Sequence, residues 1–381
     1  MQHPIIIIGT GLAGYQLARE FRRTDKTTPL YLITRDNGYF YSKPMLSTAL
    51  TSKKTSETLA TATAESMAAQ LDATIRTHVE ATQIDPATKT LWLGNEALPY
   101  SKIVLACGAD IIKPPLQGNA KDDIMFVNHL GHYAAFQEQI KDKKHITILG
   151  AGLIGCEFAN DLSNAGYEVH VIAPAKAPLD LLIPVSVGRL LQNALAQHNV
   201  HWHLQCVANT VNKNEKGYLL ELSDGTQLKT DIVLSAIGLT PHITLANTAG
   251  IQIQRGIIVN RYLETSVKDI YALGDCAEVE GHVLPYITPL LNCTRALSKT
   301  LTGERTAVEY PAMPVVVKTP AYPLVICPPP KGLHGEWIIE NQDNNVKALF
   351  YNTEKHLCGF VLTNAAVKER AQLTAQLPKL F

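Results

Sequence analysis

The sequence has no closely spaced pair of cysteines and no long apolar run. Its seven Cys are spread through 381 residues, and no CxxC or CxxxxC pair occurs, so neither a disulfide framework nor a zinc ribbon is expected. No segment approaches the roughly 20 apolar residues of a membrane helix, so direct membrane insertion is not expected. Residues 1–14, MQHPIIIIGTGLAG, lack the basic start of a secretion signal and predict a strand. We therefore expect a protein of the reducing cytoplasm.

The chain also lacks an excess of charge of either sign. Its 34 Lys and Arg balance 34 Asp and Glu, and this balance gives no reason to expect a nucleic-acid partner. Hydrophobic residues make up 46% of the chain and charged residues 18%, which argues against disorder. The length suits two or three domains.

Two glycine loops are the strongest local motifs. The apolar run 5–8 is followed by GTGLAG, and the run 146–149 is followed by GAGLIG. Each loop follows a predicted strand and opens a predicted helix, which is the context that the dinucleotide-binding fingerprint requires. The first glycine makes the turn, the second lets the backbone approach a pyrophosphate, and the third lets helix pack on strand. The pyrophosphate is then held at a helix N-terminus.

Both loops depart from the usual pattern at the end of the second strand, where an acidic residue normally binds a ribose hydroxyl. The first unit has Thr34 and Arg35 there, with Asp36 beyond them, and the second has Ala173. Thr34 or Asp36 remains available to bond a ribose, and Arg35 to stack on adenine. The choice between NADH and NADPH stays open, with NADPH the less favoured.

A third motif, TSVKDIYALGDCAE at 265–278, resembles the second FAD motif of the two-dinucleotide-binding, FAD-dependent pyridine nucleotide oxidoreductases, which have the glutathione-reductase fold. The segments YSKPMLSTAL, SAIGLTP and MPVVVKTPAYPLV are similar to the branch of this family that reduces rubredoxin in bacterial alkane oxidation. The resemblance covers nearly the whole chain. It implies FAD, NADH and rubredoxin as cofactor, electron donor and partner.

The resemblance also implies a set of site residues. It places Lys43, Glu157 and Lys318 at the catalytic centre, and Asp275 as acceptor of a hydrogen bond from the ribityl chain of FAD. The full set of residues that it assigns to cofactor binding is Gly9, Thr10, Gly11, Leu12, Ala13, Gly14, Thr34, Arg35, Lys43, Pro44, Ala81, Ala106, Gly108, Gly150, Gly152, Leu153, Ile154, Gly155, Glu157, Gly238, Gly274, Asp275, Ile287 and Lys318.

The expected fold class is α/β, with two Rossmann-like dinucleotide-binding domains and a small C-terminal α/β domain. The FAD-binding domain is expected in two parts, residues 1–112 and 242–309. The NAD(P)H-binding domain, residues 113–241, is inserted between them, and residues 310–381 form the C-terminal domain. A helix beginning near Pro289 is expected to direct its positive end at the flavin.

The expected activity is that of an FAD-dependent reductase passing electrons from NADH through flavin to rubredoxin, feeding an alkane hydroxylase. The alternatives are an NADH-dependent ferredoxin reductase, an NADH oxidase, and a flavin-binding redox sensor without turnover. The chain is expected to be a monomer or a weak dimer.

No metal site is expected. His198, His201 and His203 follow a predicted helix, but the sequence shows no carboxylate or Cys at metal-ligand spacing from them. The seven Cys are expected to be small buried hydrophobic residues.

Overall fold

The computed structural model describes residues 3–381. The first part of the chain contains helices α1 to α3, strands β1 to β8 and a short 3₁₀ helix over Lys43–Thr48. In chain order these elements are β1 (Ile5–Ile8), α1 (Leu12–Thr24), β2 (Leu30–Ile33), α2 (Ser56–Leu59), α3 (Ala64–Leu71), β3 (Thr74–Arg76), β4 (Gln83–Asp85), β5 (Thr90–Leu93), β6 (Glu96–Pro99), β7 (Lys102–Leu105) and β8 (Ala109–Ile111).

The middle and the last parts of the chain follow. The middle part contains α4 (Leu130–Gln139), β9 (His145–Leu149), α5 (Leu153–Asn164), β10 (Glu168–Ala173), α6 (Val185–Ala196), β11 (Val200–Leu204), β12 (Ala208–Asn214), β13 (Gly217–Leu222), β14 (Gln227–Thr230), β15 (Ile232–Ser235) and β16 (Leu239–Pro241). The last part contains α7 (Thr244–Thr248), β17 (Ile257–Val259), β18 (Ile270–Ala272), β19 (Ala277–Val279), α8 (Ile287–Leu301), β20 (Val315–Val317), β21 (Leu324–Cys327), β22 (Gly335–Gln342), β23 (Asn345–Asn352), β24 (Leu357–Thr363) and α9 (Arg370–Thr374).

The first nucleotide unit is a parallel sheet in the order β18-β7-β1-β2-β3. All four residues of β1 are buried, as expected for a strand covered by helices on both faces. Ile5 pairs with Leu30 on one side and with Lys102 on the other. Strand β18 comes from a segment far along the chain and completes the sheet beside β7.

The second nucleotide unit is a parallel sheet in the order β11-β10-β9-β15. A three-stranded antiparallel sheet, β12-β13-β14, covers one of its faces, because Leu149 and Ile172 share a buried cluster with Val211 and Leu220. The pairing of β8 with β16 forms a two-stranded ribbon at the two points where the chain passes between the units.

The C-terminal unit is a five-stranded antiparallel sheet in the order β20-β21-β24-β23-β22, followed by a 3₁₀ helix over Asn364–Glu369 and the short helix α9. Its Val317 and Tyr322 belong to the same buried cluster as Phe158 and Leu162 of α5, so this sheet packs directly on the second nucleotide unit. The expected α/β class is confirmed. No helix within residues 3–381 is long and apolar enough to cross a membrane.

Helix α5 is the point where the three units meet. The Asp161 carboxylate accepts hydrogen bonds from the backbone N–H groups of Leu50 and Thr51, at 2.9 and 3.0 Å. The Asn160 side chain accepts from the backbone N–H of Ala321 at 3.1 Å. One turn earlier, Glu157 accepts a 2.6 Å hydrogen bond from the Ser47 hydroxyl. Helix α5 therefore binds both residues 47–51 of the first unit and residues 318–321 at the start of the C-terminal sheet.

We expect Ser47→Ala to lower the free energy of unfolding by about 1.5–3 kcal/mol, because a buried carboxylate loses a hydrogen bond. Ser52→Ala is the matched control. Ser52 is exposed in the same segment and bonds only to the backbone of its own turn, so its loss should stay within about 0.5 kcal/mol. Denaturant unfolding followed by circular dichroism measures both. Equal effects of the two substitutions would contradict the anchoring role of Ser47.

Candidate functional site

A cleft of about 1750 Å³ runs between the two nucleotide units and reaches the first strand of the C-terminal sheet. Both glycine loops lie along it, each at the carboxyl end of its central strand. This is where ligands bind in open parallel sheets. The cleft is larger than the roughly 300–1,000 Å³ usual for one small ligand, so two extended nucleotides have room in it.

The first glycine loop has the geometry of a phosphate turn. Gly9 has a φ of +114°, and a Cβ there would lie 2.2 Å from the carbonyl oxygen of Ala106. A Cβ on Gly14 would lie 1.9 Å from the carbonyl oxygen of Gly9, whereas one on Gly11 would meet nothing within 4 Å in the described chain. Two glycines are therefore required by packing, and Gly11 keeps open the space that a pyrophosphate needs.

The second loop repeats this geometry. A Cβ on Gly150 would lie 2.6 Å from the carbonyl oxygen of Ala236, and one on Gly155 would lie 2.1 Å from that of Gly150. A Cβ on Gly152 would have no atom of residues 3–381 within 4 Å. Gly11 and Gly152 are the N-cap residues of α1 and α5, and no side chain in the described structure caps either helix. The N–H groups of both helices are thus left for a ligand.

The residues after β2 form a hydrogen-bonded turn at the cleft wall. Thr34 donates a 2.7 Å hydrogen bond to the Asp36 carboxylate, which also accepts from the backbone N–H of Gly38 at 2.9 Å. Arg35 is exposed, with its guanidinium 3.9 Å from Asp110. Asp110 also lies 2.6 Å from His242 across the two-stranded ribbon. Arg35 is therefore the polar side chain of this turn that is most available to a nucleotide.

The corresponding turn after β10 has no carboxylate at its first position. Ala173 is buried there, and the next acid in the sequence that lines the cleft, Asp180, accepts a 2.7 Å hydrogen bond from the backbone N–H of Lys176. Among the residues that line the cleft, two have a buried polar atom without a partner in the described part of the chain, the Ser235 hydroxyl at the end of β15 and the Asn128 side-chain oxygen. Both residues line the cleft, which is what a polar ligand bound there would satisfy.

Lys43 and Asp275 face each other across the first unit. The Lys43 ammonium lies 3.9 Å from the Asp275 carboxylate, and burial lowers the pKa of Lys43, an effect that the charge of Asp275 opposes. Gly274 precedes Asp275 with a φ of +78°, and a Cβ there would lie 3.0 Å from the Ala13 side chain. This glycine is therefore needed to bring Asp275 beside the first loop.

Glu157 lines the cleft and is buried, with 3% exposure. Besides Ser47, its carboxylate accepts a 3.1 Å hydrogen bond from the backbone N–H of Lys318 and pairs with the Lys318 ammonium. Glu157 of α5 and Lys318 of the C-terminal unit thus form an ion pair across the cleft wall, and the carboxylate restricts the position of the ammonium.

All but three of the predicted site residues line the cleft, the exceptions being Gly14, Gly155 and Gly274. Those three shape the backbone beneath it. Helix α8 brings Ile287 to the cleft rim in its first turn, where the residue is partly exposed, and no side chain of the described structure caps this helix.

The sequence motifs did not single out the partners of these residues. Ser47 lies within the YSKPMLSTAL segment, but the motif assigns it no role. No sequence motif connects Asp110 with His242, since they are 132 positions apart. The seven thiols are free, and only Cys107 is not fully buried. Burial raises the pKa of Cys107, and raises the pKa values of Cys276 and Cys293 to about 11, so these thiols stay protonated near neutral pH.

These features define a class, an oxidoreductase with two dinucleotide sites on one cleft and no CxxC or CxxxxC pair of thiols. Residues 3–296 match the pyridine nucleotide-disulphide oxidoreductase family, and residues 307–377 match the rubredoxin binding C-terminal domain. The chain belongs to the pyridine nucleotide-disulphide oxidoreductase family.

Curated relatives match over the full length. The chain is 48% identical over 380 residues to the rubredoxin-NAD(+) reductase of Alcanivorax borkumensis, with 100% of both chains covered. It is 45% identical over 388 residues to the enzyme of the same name from Acinetobacter baylyi, covering 100% of this chain and 99% of that one. A ferredoxin reductase structure from Rhodopseudomonas palustris superimposes with a TM-score of 0.88 at 24% identity, covering 99% and 95%, and shows the same fold.

The expected resemblance to rubredoxin-reducing members is therefore confirmed, and FAD and NADH are the cofactors. The residues present fit two such ligands. Each glycine turn leaves open space at its second glycine and uncapped helix N–H groups behind it.

Gly152→Ala and Gly155→Ala should have opposite kinds of effect. The methyl group at residue 152 meets open space, so the variant should keep its thermal stability while nucleotide affinity at this loop falls. At residue 155 the methyl group collides with the Gly150 carbonyl, so the melting temperature should fall. Thermal unfolding and NADH titration of both variants measure the contrast. A destabilised Gly152→Ala would contradict the role of its open space.

Proposed function

We propose that this protein transfers electrons from NADH, through bound FAD, to rubredoxin. The observation that carries the proposal is the match of residues 307–377 to a rubredoxin-binding domain. The first strand of its sheet contributes Val315 and Val316 to the lining of the two-nucleotide cleft, and Lys318, the residue after that strand, also lines it. The full-length similarity to two rubredoxin-NAD(+) reductases supports the same activity.

In this proposal FAD occupies the first glycine loop and NADH the second. Support for the first assignment comes from Asp275 and Lys43, which stand beside the GTGLAG turn and offer an acceptor and a cation to an extended polar ligand. Support for the second comes from Ser235, whose unpartnered hydroxyl lies on the strand next to the GAGLIG turn within the described structure. NADH, not NADPH, is the proposed donor.

The flavin, when bound, exchanges two electrons with a nicotinamide and single electrons with an iron protein. The protein's contribution is placement and charge. Lys43 and Lys318, which both line the cleft, are proposed to supply positive charge there, where it would stabilise negative charge on a reduced cofactor. Glu157 pairs with the Lys318 ammonium and is itself hydrogen-bonded by the Ser47 hydroxyl, so the position of the ammonium is restricted.

The acceptor assay tests the proposal. Purified protein with bound FAD should consume NADH rapidly when rubredoxin is the acceptor, and at least tenfold more slowly with ferredoxin or with oxygen alone. Since no reactive thiol is available, iodoacetamide should leave the rate unchanged. A faster rate with ferredoxin or oxygen would overturn the partner assignment, and bleaching by NADH with no turnover on any acceptor would favour the redox-sensor alternative.

Val316→Glu should raise the KM for rubredoxin several-fold while NADH still bleaches the flavin at the normal rate. Val316 is an apolar residue 50% exposed on edge strand β20 and lines the cleft, and a charge placed in an apolar contact costs desolvation energy. Ile338→Glu is the matched control, since Ile338 is 47% exposed on β22 at the opposite edge of the same sheet. A larger effect at Ile338 would move the docking surface to that edge.

The proposal extends to the biological role. The reduced rubredoxin would feed an alkane hydroxylase. The reductase itself would act in the cytoplasm, as a monomer or a weak dimer. The support is the similarity of the YSKPMLSTAL and MPVVVKTPAYPLV segments to the branch that works in alkane oxidation. Loss of growth on an alkane, with growth on the matching fatty acid retained, is the expected phenotype of a strain lacking the protein.

A further inference from the structure

A cluster of histidines around one carboxylate lies on the second nucleotide unit, away from the cleft. We call Glu168, His170, His201, His203 and His145 the His/Glu cluster. They come from three adjacent parallel strands, with Glu168 paired in register to His145 and His170 paired to His201. Residues paired in this way point to the same face of a sheet. The cluster therefore collects side chains that are far apart in sequence onto one face.

The distances within the His/Glu cluster are short. His170 Nε2 lies 3.4 Å and His201 Nε2 lies 3.7 Å from the same oxygen, Glu168 Oε1. One ligating atom from each of these three residues falls within 4.8 Å of the other two. Zinc bonds of about 2.0–2.2 Å in tetrahedral geometry place ligand atoms roughly 3.3–3.5 Å apart, so only small side-chain movements separate this arrangement from a closed site.

Outer partners orient two of the three groups. His170 Nδ1 lies 3.0 Å from His203 Nε2. When that nitrogen of His170 carries the proton and donates to His203, the lone pair of His170 Nε2 faces Glu168 and His201. The other carboxylate oxygen, Glu168 Oε2, lies 3.4 Å from His145 Nδ1. Protein metal sites hold their ligands with partners of this kind.

The charges of the cluster also favour a cation. His170 stacks on His201 and on His203, with ring centroids 4.8 and 5.3 Å apart. Within residues 3–381, no Lys or Arg lies within salt-bridge distance of Glu168. The carboxylate is therefore surrounded by imidazole rings and has no basic Lys or Arg partner in the described part of the chain.

A further polar group beside the cluster lacks a partner. Thr147 on β9 is the register partner of His170 and is fully buried. Its hydroxyl makes no hydrogen bond in the part of the chain that the structure describes. A water molecule on a cation bound at the cluster is the kind of group that would satisfy such a hydroxyl.

We propose that Glu168, His170 and His201 form a binding site for a divalent transition-metal ion, with Zn²⁺ as the best-fitting ion and water in the fourth position. Two imidazoles and a carboxylate are a donor set that suits Zn²⁺ and excludes the oxygen-preferring Mg²⁺ and Ca²⁺. The sequence predicted no such site because the carboxylate partner, Glu168, lies on a different strand from His201 and His203.

The site is structurally separate from the redox cleft. Glu168 and His145 begin their strands, whereas the GAGLIG loop follows the end of β9. Five residues at about 3.3 Å each put roughly 16 Å between the two ends of β9. Zinc at the cluster would join β10 to β11 and stabilise the NADH-binding unit without touching the cofactors.

The test is Zn²⁺ binding to untagged protein with bound FAD, measured by isothermal titration calorimetry. The wild type should bind one Zn²⁺ and no Mg²⁺, and its melting temperature should rise with Zn²⁺. Glu168→Gln and His201→Gln should weaken binding by more than the roughly 10–100-fold that loss of an outer partner costs, and His203→Ala should fall within that range. His198→Gln is the control, because His198 is exposed nearby and lies outside the cluster.

The mutated ligands are partly exposed, and flavin absorbance with thermal unfolding in the absence of metal verifies that each variant is folded. Co²⁺ gives a second measurement, since tetrahedral Co²⁺ should produce visible absorption bands in the wild type that His201→Gln removes. The proposal is overturned if the wild type fails to bind Zn²⁺, or if the ligand variants bind it as tightly as the wild type or the His198 control.

Discussion

The buried carboxylate of Glu157 is the interaction on which the arrangement of the cleft depends. An ionised group at 3% exposure is costly unless it is fully hydrogen-bonded. Its partners come from two other units, Ser47 from the first and Lys318 from the C-terminal sheet. Removing one unit would leave the charge unsatisfied, so the carboxylate penalises any arrangement in which the three units separate. The Asn160 and Asp161 contacts on the same helix act in the same direction.

The glycine turns solve a different problem, that of keeping space open. At each loop the first and third glycines are fixed by contacts within the protein, while the second faces the cleft. A tight turn and an open binding space fit within the same six residues because backbone N–H groups, and not side chains, are the groups left to bind the ligand. Side chains add charge along the cleft, where Lys43 pairs with Asp275 and Lys318 pairs with Glu157.

Much of this could be predicted from sequence because the information is local. A glycine loop between a β-branched run and a helix specifies its own turn, and both nucleotide units follow from that. The sequence predicts a small C-terminal α/β unit but does not reveal that its sheet is antiparallel, because the apolar runs alone do not show that hairpins connect them. Contacts such as Ser47 with Glu157, 110 positions apart, need the tertiary structure. The His/Glu cluster needs strand register, since a shift of one residue would turn Glu168 to the other face.

The position of β18 has a consequence for the order in which the protein is made. The first nucleotide sheet has β7 ending at Leu105, yet its edge strand β18 begins only at Ile270. Between them lies the whole parallel sheet of the second unit, from β9 to β15. At translation rates of 5–20 residues per second, the ribosome would take roughly ten to thirty seconds to cover this interval. The inserted unit can therefore fold while the unit that surrounds it still exposes one side of β7, and this nascent edge is where a chaperone would have most to protect.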